Sequence, residues 1–179
     1  VGQVDAVFHL AAIVSDWGGQ QEHVDITVKG TEQAIELALL WQAHFIVTTS
    51  VATFASKLGQ GLLTEDSPVG TPSSAYEFCK QEQERVSLKA TIVRPGNVFG
   101  VGGHHWVTMM VDMMREQKAC QIGDGEFDAG LVHVSNLVSL LIAAARSDCT
   151  GGEIFLAADG FGVTWKTYLE RLAAAAGTA

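Results

Sequence analysis

The sequence is poor in several things, and each shortage excludes a class of function. It has three cysteines, Cys79, Cys120 and Cys149, far apart and in odd number. No C-x-x-C pair suggests a metal knuckle, and an odd count argues against a disulfide framework. A reducing cytosol, and so a cytoplasmic location, is the expectation. Lysine and arginine total 11 against 20 acidic residues, a formal net charge of −9. No basic stripe runs along the chain, so a nucleic-acid partner is not expected. The early apolar run, residues 4–14, is too short to span a bilayer and contains Asp5 and His9. It has no basic leading segment, so it reads neither as a membrane span nor as a signal peptide. The chain opens on Val1 rather than Met, so Val1 is not expected to be the natural start. Internal repeats and low-complexity linkers are absent. What remains is globular: 179 residues, 47% apolar and 17% charged, enough for one domain with a core.

Four short apolar runs stand out: residues 4–10 (VDAVFHL), 45–49 (FIVTT), 91–94 (TIVR) and 153–156 (EIFL). Their apolarity is continuous rather than alternating, the pattern of strands buried on both faces. Between them lie segments of helical period at 23–41, 74–86, 107–117, 135–146 and 164–176. Ser73 or Ser74 is a candidate cap for the second helix, with Glu77 in its first turn. Ser135 reads as the cap of the fourth, and Gly177 as the stop of the fifth. Residues 100–105 and 123–130 are loop-like. Strands alternating with helices predict right-handed βαβ units and a parallel sheet.

The sharpest local signal is Tyr76-Glu-Phe-Cys-Lys80 inside a helical segment. Positions i and i+4 share a face. An ammonium beside a phenol favours phenolate and lowers a pKa that starts near about 10. Tyr76 would then exchange protons with an alcohol or ketone. Alone, the Y-x-x-x-K spacing is common and equally fits an ordinary surface pair. Context adds weight. Ser50 follows a buried strand, where ligand sites lie beyond the carboxyl ends of parallel strands. Thr48, Thr49 and Ser50 also suit plain local hydrogen bonds at a strand end. TIVRPGNVFG brings the rigid Pro95 and the permissive Gly96 to the end of a third strand. The first strand ends in His9-Leu10-Ala11-Ala12, small enough to let a flat ligand reach the backbone.

In order along the chain, VDAVFHLAA, VKGTEQAIELA, TTSVATF, YEFCK, TIVRPGNVFG and LVHVSNLVSLLIAAA resemble the extended short-chain dehydrogenases/reductases. The resemblance implies an α/β fold, a doubly wound parallel sheet of Rossmann type, here N-terminally truncated, with a small C-terminal substrate lobe. Residues 1–98 and 131–146 would form mainly the core, and 99–130 and 147–179 mainly the lobe. It implies NAD or NADP as cofactor. Tyr76 becomes the proton donor and acceptor, Lys80 the holder of the nicotinamide ribose, and Ser50 the group that orients the reacting oxygen. Leu10, Ala11, Ala12, Thr27, Pro95 and Val98 would line the cofactor. Ser50, Tyr76, Asn97 and Trp106 would meet the substrate. A homodimer through the helices at 23–41 and 74–86 is implied as well.

Three departures from the family pattern matter. No Gly-rich G-x-x-G-x-x-G turn is present, so the usual anion site of a helix N-terminus is missing, and the chain reads as starting one βαβ unit late. Thr27 stands where the family often has Asn. Residues 86–89 make a link shorter than usual, expected to strain the crossover.

The stretch before LVHV is GDGEFDAG, with Asp124, Glu126 and Asp128 and no Arg, a poor seat for a diphosphate. Asn136 replaces an Asp common in nucleotide-sugar members, so the sequence resembles the 3β-hydroxysteroid dehydrogenase branch. Met109, Met110, Met113 and Met114 suit core packing, or an adaptable apolar pocket beside Phe99 and Trp106. His104 and His105 are expected to point apart in an extended loop, and no metal site is expected. His9 and His133 read as satisfied core histidines. The favoured function is an alcohol/ketone oxidoreductase acting on an apolar small molecule. A nucleotide-sugar epimerase or dehydratase and a non-catalytic module are the alternatives.

Overall fold

The computed structural model of the chain describes residues 2, 4–15, 17–147 and 151–178. Cys149 lies outside the described residues. In chain order the elements are β1 (Ala6–His9), α1 (Gln20–His23), a wide π-type turn (Val24–Val28), α2 (Lys29–Trp41), β2 (His44–Thr48), a 3-10 segment (Val51–Lys57), α3 (Ala75–Val86), β3 (Thr91–Pro95) and β4 (Asn97–Phe99). Then come a second π-type turn (His104–Thr108), α4 (Met109–Arg115), β5 (Leu131–His133), α5 (Val134–Arg146), β6 (Ile154–Ala157) and α6 (Trp165–Ala176). The chain divides into two compact units: Val1–Pro95 with Ser139–Leu156, and Gly96–Val138 with Ala157–Ala179.

The first unit holds a four-stranded sheet in the order β1-β2-β3-β6. The pairs β1/β2 and β2/β3 are parallel, with His9 opposite Val47 and Ile46 opposite Thr91. The four apolar runs are thus the four strands. Every residue of β3 is buried, as are Phe45, Ile46 and Val47 of β2. Burial on both faces is why β2 and β3 show no alternation; β1 and β6 are only partly buried. Ala34, Ile35 and Ala38 of α2 cover one face, packing on Val7, Phe45, Val47, Ala90, Ile92 and Ile154. Each large side chain buried there contributes about 1.5–3 kcal/mol of transfer free energy. The Ala145 carbonyl of α5 lies 3.4 Å from Nδ1 of His44 in β2.

Local chemistry sets the helix that matters most. Ser74 caps α3: its Oγ accepts from the Glu77 N–H at 3.1 Å. Glu77 reaches back to accept from the Ser73 N–H at 2.6 Å. That reciprocal pair satisfies donors that a bare helix end would leave open. The link from α3 to β3, expected to be strained, is not. Ser87 N–H donates to the Glu84 carbonyl and Ala90 N–H to Ser87, at 2.9 and 2.8 Å. No residue from 86 to 90 adopts a positive φ.

In the second unit β4 and β5 pair in parallel, with Val98 opposite Val132 and Phe99 opposite His133. Phe99, Trp165, Leu169 and Leu172 pack around Ala129, Leu131 and Tyr168. Gly96 is needed for proximity rather than for backbone freedom: a Cβ there would strike the Gly130 carbonyl oxygen. Asp128 staples the neighbouring loops, accepting from the Gly130 and Gly162 N–H groups at 2.8 Å each. Thr164 caps α6 by accepting from the Thr167 N–H, and Gly177 ends it at φ 65°. Ser135 is not a cap but lies inside α5, where its N–H donates to His133 Nδ1 at 3.3 Å. The adjacent histidines do not point apart either. Residues 104–108 are helical rather than extended, so the rings of His104 and His105 meet edge to face, 5.4 Å between centroids.

Candidate active site

In the first unit three sequence-flagged residues sit on two neighbouring elements. Ser50 follows β2 and caps the 3-10 segment, its Oγ accepting from the Ala52 N–H at 3.1 Å. That bond uses an oxygen lone pair and leaves the hydroxyl proton to be donated elsewhere. Tyr76 and Lys80 lie one turn apart on α3, with Lys80 Nζ 5.8 Å from the centroid of the Tyr76 ring. Lys80 is only 3% exposed. Its ammonium donates to Gln83 Oε1 at 2.9 Å and to the Thr48 carbonyl at 3.3 Å. Burial pushes its pKa down to about 8, against the opposing pull of Glu84 and Cys79. The arrangement therefore holds a cation beside a phenol in a setting where the cation is destabilised and poised close to neutral pH.

A second group was not legible in the sequence. Arg94, at the end of β3, makes a two-pronged ion pair with Glu84 of α3: Nε to Oε1 at 2.8 Å and Nη2 to Oε2 at 2.7 Å. Thr49, next to Ser50, donates its hydroxyl to the same Glu84 Oε1 at 2.8 Å. The Arg94 guanidinium also lies 4.9 Å from the Phe54 ring centroid. Glu84 thus fastens the helix carrying Tyr76 and Lys80 to the ends of β2 and β3. Gln81 adds a further tie, its Nε2 donating to the carbonyls of Thr53 and Gly70 at 2.9 and 2.8 Å. The four-residue spacing from Lys80 to Glu84 was a usable signal. Its partner Arg94, on a strand, was not.

Beyond β1, Leu10 and Ala11 are exposed and Ala12 is half-buried. Thr27 is buried, and its Oγ1 accepts from the Ile13 N–H at 3.1 Å. It steadies the segment after Ala12. Thr48 Oγ1 is buried with no partner among the described residues. A nicotinamide ribose fits this donor set chemically. Lys80 has one N–H beyond the two taken by Gln83 and Thr48, and the exposed Leu10 and Ala11 with the half-buried Ala12 leave room for a flat group to approach. Pro95 closes β3 and is buried.

The remaining flagged residues belong to the second unit. Asn97 Nδ2 donates to the Ala129 carbonyl at 2.7 Å, which braces β4, and Val98 is half-buried in that strand. Trp106 packs tilted against Trp165 at 5.2 Å between centroids, and its carbonyl accepts from the Tyr168 hydroxyl. Burial raises the Tyr168 pKa. Asn136 donates to Asp159, whose other oxygen accepts from the His133 N–H. Phe99, Val101, Val107, Val163 and Leu172 line an open groove of about 530 Å³, with Arg171 at its edge.

The chain is similar to several known proteins. The sequence model of the NAD dependent epimerase/dehydratase family matches residues 1–158. The 3beta-hydroxysteroid-dehydrogenase/decarboxylase isoform 1 of Arabidopsis thaliana is 28% identical over 168 residues, which cover 87% of this chain and 38% of that protein. The 2-alkyl-3-oxoalkanoate reductase of Stenotrophomonas maltophilia is 26% identical over 195 residues, covering 99% of this chain and 58% of that protein. Among solved structures, MoeE5 in complex with UDP-glucose and NAD superimposes with a TM-score of 0.82 at 22% identity, covering 97% of this chain and 63% of that one. The UDP-glucose 4-epimerase of Thermotoga maritima gives a TM-score of 0.75 at 22% identity, covering 97% and 62%. At such identities the structural likeness is one of fold.

Proposed function

Because the chain belongs to the NAD dependent epimerase/dehydratase family, we propose that it works in an NAD- or NADP-dependent oxidoreductase that interconverts an alcohol and a ketone on an apolar small molecule. The observation that carries this reading is the buried Lys80 ammonium beside the Tyr76 ring, 5.8 Å from its centroid.

In the reducing direction Tyr76 passes its phenolic proton to the ketone oxygen, and in oxidation it takes that proton back. Ser50 donates its hydroxyl to the same oxygen and orients it. Lys80 favours the phenolate by its charge and gives its third N–H to a cofactor ribose. Leu10, Ala11 and Ala12 lie along the cofactor, with Thr27 holding their segment and Pro95 bordering the nicotinamide. When bound, NAD(H) supplies the hydride acceptor or donor. Asn97 and Trp106 are assigned to the substrate side.

The steroid and alkyl-chain substrates in the names of the relatives support an apolar substrate. Asp128 spends both carboxylate oxygens on loop N–H groups. Asp124 and Glu126 beside it make that loop acidic, and Lys166, which reaches the loop, is already paired by Glu126 at 3.4 Å. Exposed Leu37 and Leu40 on α2 support pairing with a second copy. Sedimentation velocity of the chain measures that directly.

The test is reduction of apolar ketones with NADH or NADPH, followed at 340 nm, beside a thermal-shift panel of UDP- and dTDP-sugars. Turnover of a ketone supports the reading. Strong stabilisation by one nucleotide sugar, with no ketone turned over, rejects it.

A further inference from the structure

Lys80 is held from behind by a chain of buried polar groups that the reaction scheme does not use. Gln83, one turn further along α3, is fully buried, as is Thr31 of α2. Gln83 Oε1 accepts from Lys80 Nζ at 2.9 Å, and Gln83 Nε2 donates to Thr31 Oγ1 at 2.9 Å. Thr31 gives its own proton to the Thr27 carbonyl at 2.6 Å. Its lone pairs are therefore left to accept, from Gln83 and from His9 Nε2 at 2.9 Å.

The chemistry fixes every direction in this chain. An ammonium only donates, so the amide oxygen of Gln83 must face Lys80 and its NH₂ must face Thr31. Turning the amide over would set NH₂ against an ammonium. Because the Thr31 proton is committed to a carbonyl, His9 must carry its hydrogen on Nε2. The ring of His9 is stacked on Phe45, 5.9 Å between centroids, so it cannot swing away cheaply. One bridge thus joins β1, α2 and α3.

We infer that Gln83 is a positioning residue for Lys80, the link through which Thr31 and His9 hold the ammonium beside Tyr76. The inference rests on the role given to Lys80 above. A lysine stem has four rotatable torsions, and fixing them needs more than the Thr48 carbonyl. An apolar residue at position 83 would fill the space and leave the ammonium with one acceptor instead of two. The groups facing Lys80 are Glu84, Cys79 and Tyr76 on its own helix and His9 on β1. Glu84 and Cys79 favour the ammonium, while Lys80 in turn disfavours charge on His9, whose pKa is lowered first by burial and then by Lys80.

The experiment is an NMR titration of the lysine Nζ groups in the 179-residue chain and in two variants. Gln83→Leu should move the Lys80 midpoint down by about one pH unit, the worth of one hydrogen bond to a charged group. Gln83→Glu keeps an acceptor and adds an opposite charge, so it should move the midpoint up. A purely structural Gln83 would lower the unfolding midpoint and leave the Gln83→Leu titration where the unaltered protein has it; that result overturns the inference. Should Gln83→Leu fail to fold, Gln83→Met, which likewise removes the acceptor, decides: a downward shift supports the inference and an unmoved midpoint overturns it. The readout does not depend on turnover. If Lys80 moves as expected but Tyr76→Phe leaves ketone reduction intact, the bridge stands and the functional reading falls.

Discussion

Replacing Lys80 with methionine should change how the stability of the chain depends on pH. In the folded protein burial holds the Lys80 pKa at about 8, against an ordinary value of 10.5. Between those two values the unfolded chain binds a proton that the folded chain does not, so stability should rise with pH across that window. Each unit of separation is worth about 1.4 kcal/mol. At about pH 7 the buried ammonium therefore costs roughly 3 kcal/mol, and by about pH 9.5 roughly half of that is relieved. Cys79 and Tyr168 act in the opposite sense. Burial raises both, so each holds its proton in the folded state as pH climbs past its ordinary value and each then loses stability. Tyr168 cancels in the difference between the proteins, while Cys79, whose pKa Lys80 lowers, loses more stability with pH in the variant and so widens the difference in the same direction. Urea unfolding of the unaltered chain and of Lys80→Met, at about pH 7 and about pH 9.5, measures that difference. On raising the pH the unaltered chain should gain about 1.5–2 kcal/mol relative to the variant. Parallel pH profiles would refute the assignment of a buried, proton-shedding Lys80.

Two further outcomes follow from the packing. Glu84→Gln removes the charge that Arg94 and Thr49 share, leaving a guanidinium only 4% exposed, whose Nη1 has no partner among the described residues. Breaking a buried pair in this way should lower stability by about 3 kcal/mol in urea unfolding, and a loss under about 1 kcal/mol would show that the pair does not fasten α3 to the strand ends. Ala55 sits at φ 45° and ψ −120° immediately after Phe54 of the 3-10 segment, a conformation that a Cβ makes costly. Ala55→Gly should stabilise the chain by about 1 kcal/mol, visible as a rise of about 2–4 °C in calorimetric melting temperature, whereas a fall would mean that the methyl group packs more than it strains.

How much of this was legible in the sequence depended on range. Strands β1, β2, β3 and β6 were readable as unbroken apolar runs, which full burial explains for β3 and the middle of β2 but not for β1, whose Phe8 is exposed, or for the half-buried β6. The cap of α3 was readable because Ser74 and Glu77 are local to one turn. Strand β4 was hidden: it begins right after Pro95-Gly96, which punctuate like a loop, yet Gly96 is there because the Gly130 carbonyl leaves no room for a Cβ. The cap expected at Ser135 fell one residue inside the helix, as boundaries between a strand and a directly following helix readily do. The helical turn at 104–108 was concealed by its glycine-rich approach. In the candidate site, Tyr76, Lys80 and Ser50 could be named from residue types at short spacing and strand ends. Arg94, Gln83, Thr31 and His9 could not be assigned, because their partners lie 10, 52 and 22 residues away on other elements. A hydrogen-bonded chain across three elements has no linear signature.

The role proposed for Tyr76, moving the proton in a nicotinamide-dependent reaction, stands or falls with Tyr76→Phe. The variant keeps the ring and removes only the hydroxyl. Ketone reduction followed at 340 nm should fall by at least about 10²-fold while the dissociation constant for NAD(H), measured by calorimetric titration, stays within a few-fold. Turnover retained at the level of the unaltered protein, with cofactor bound equally well, would contradict the account.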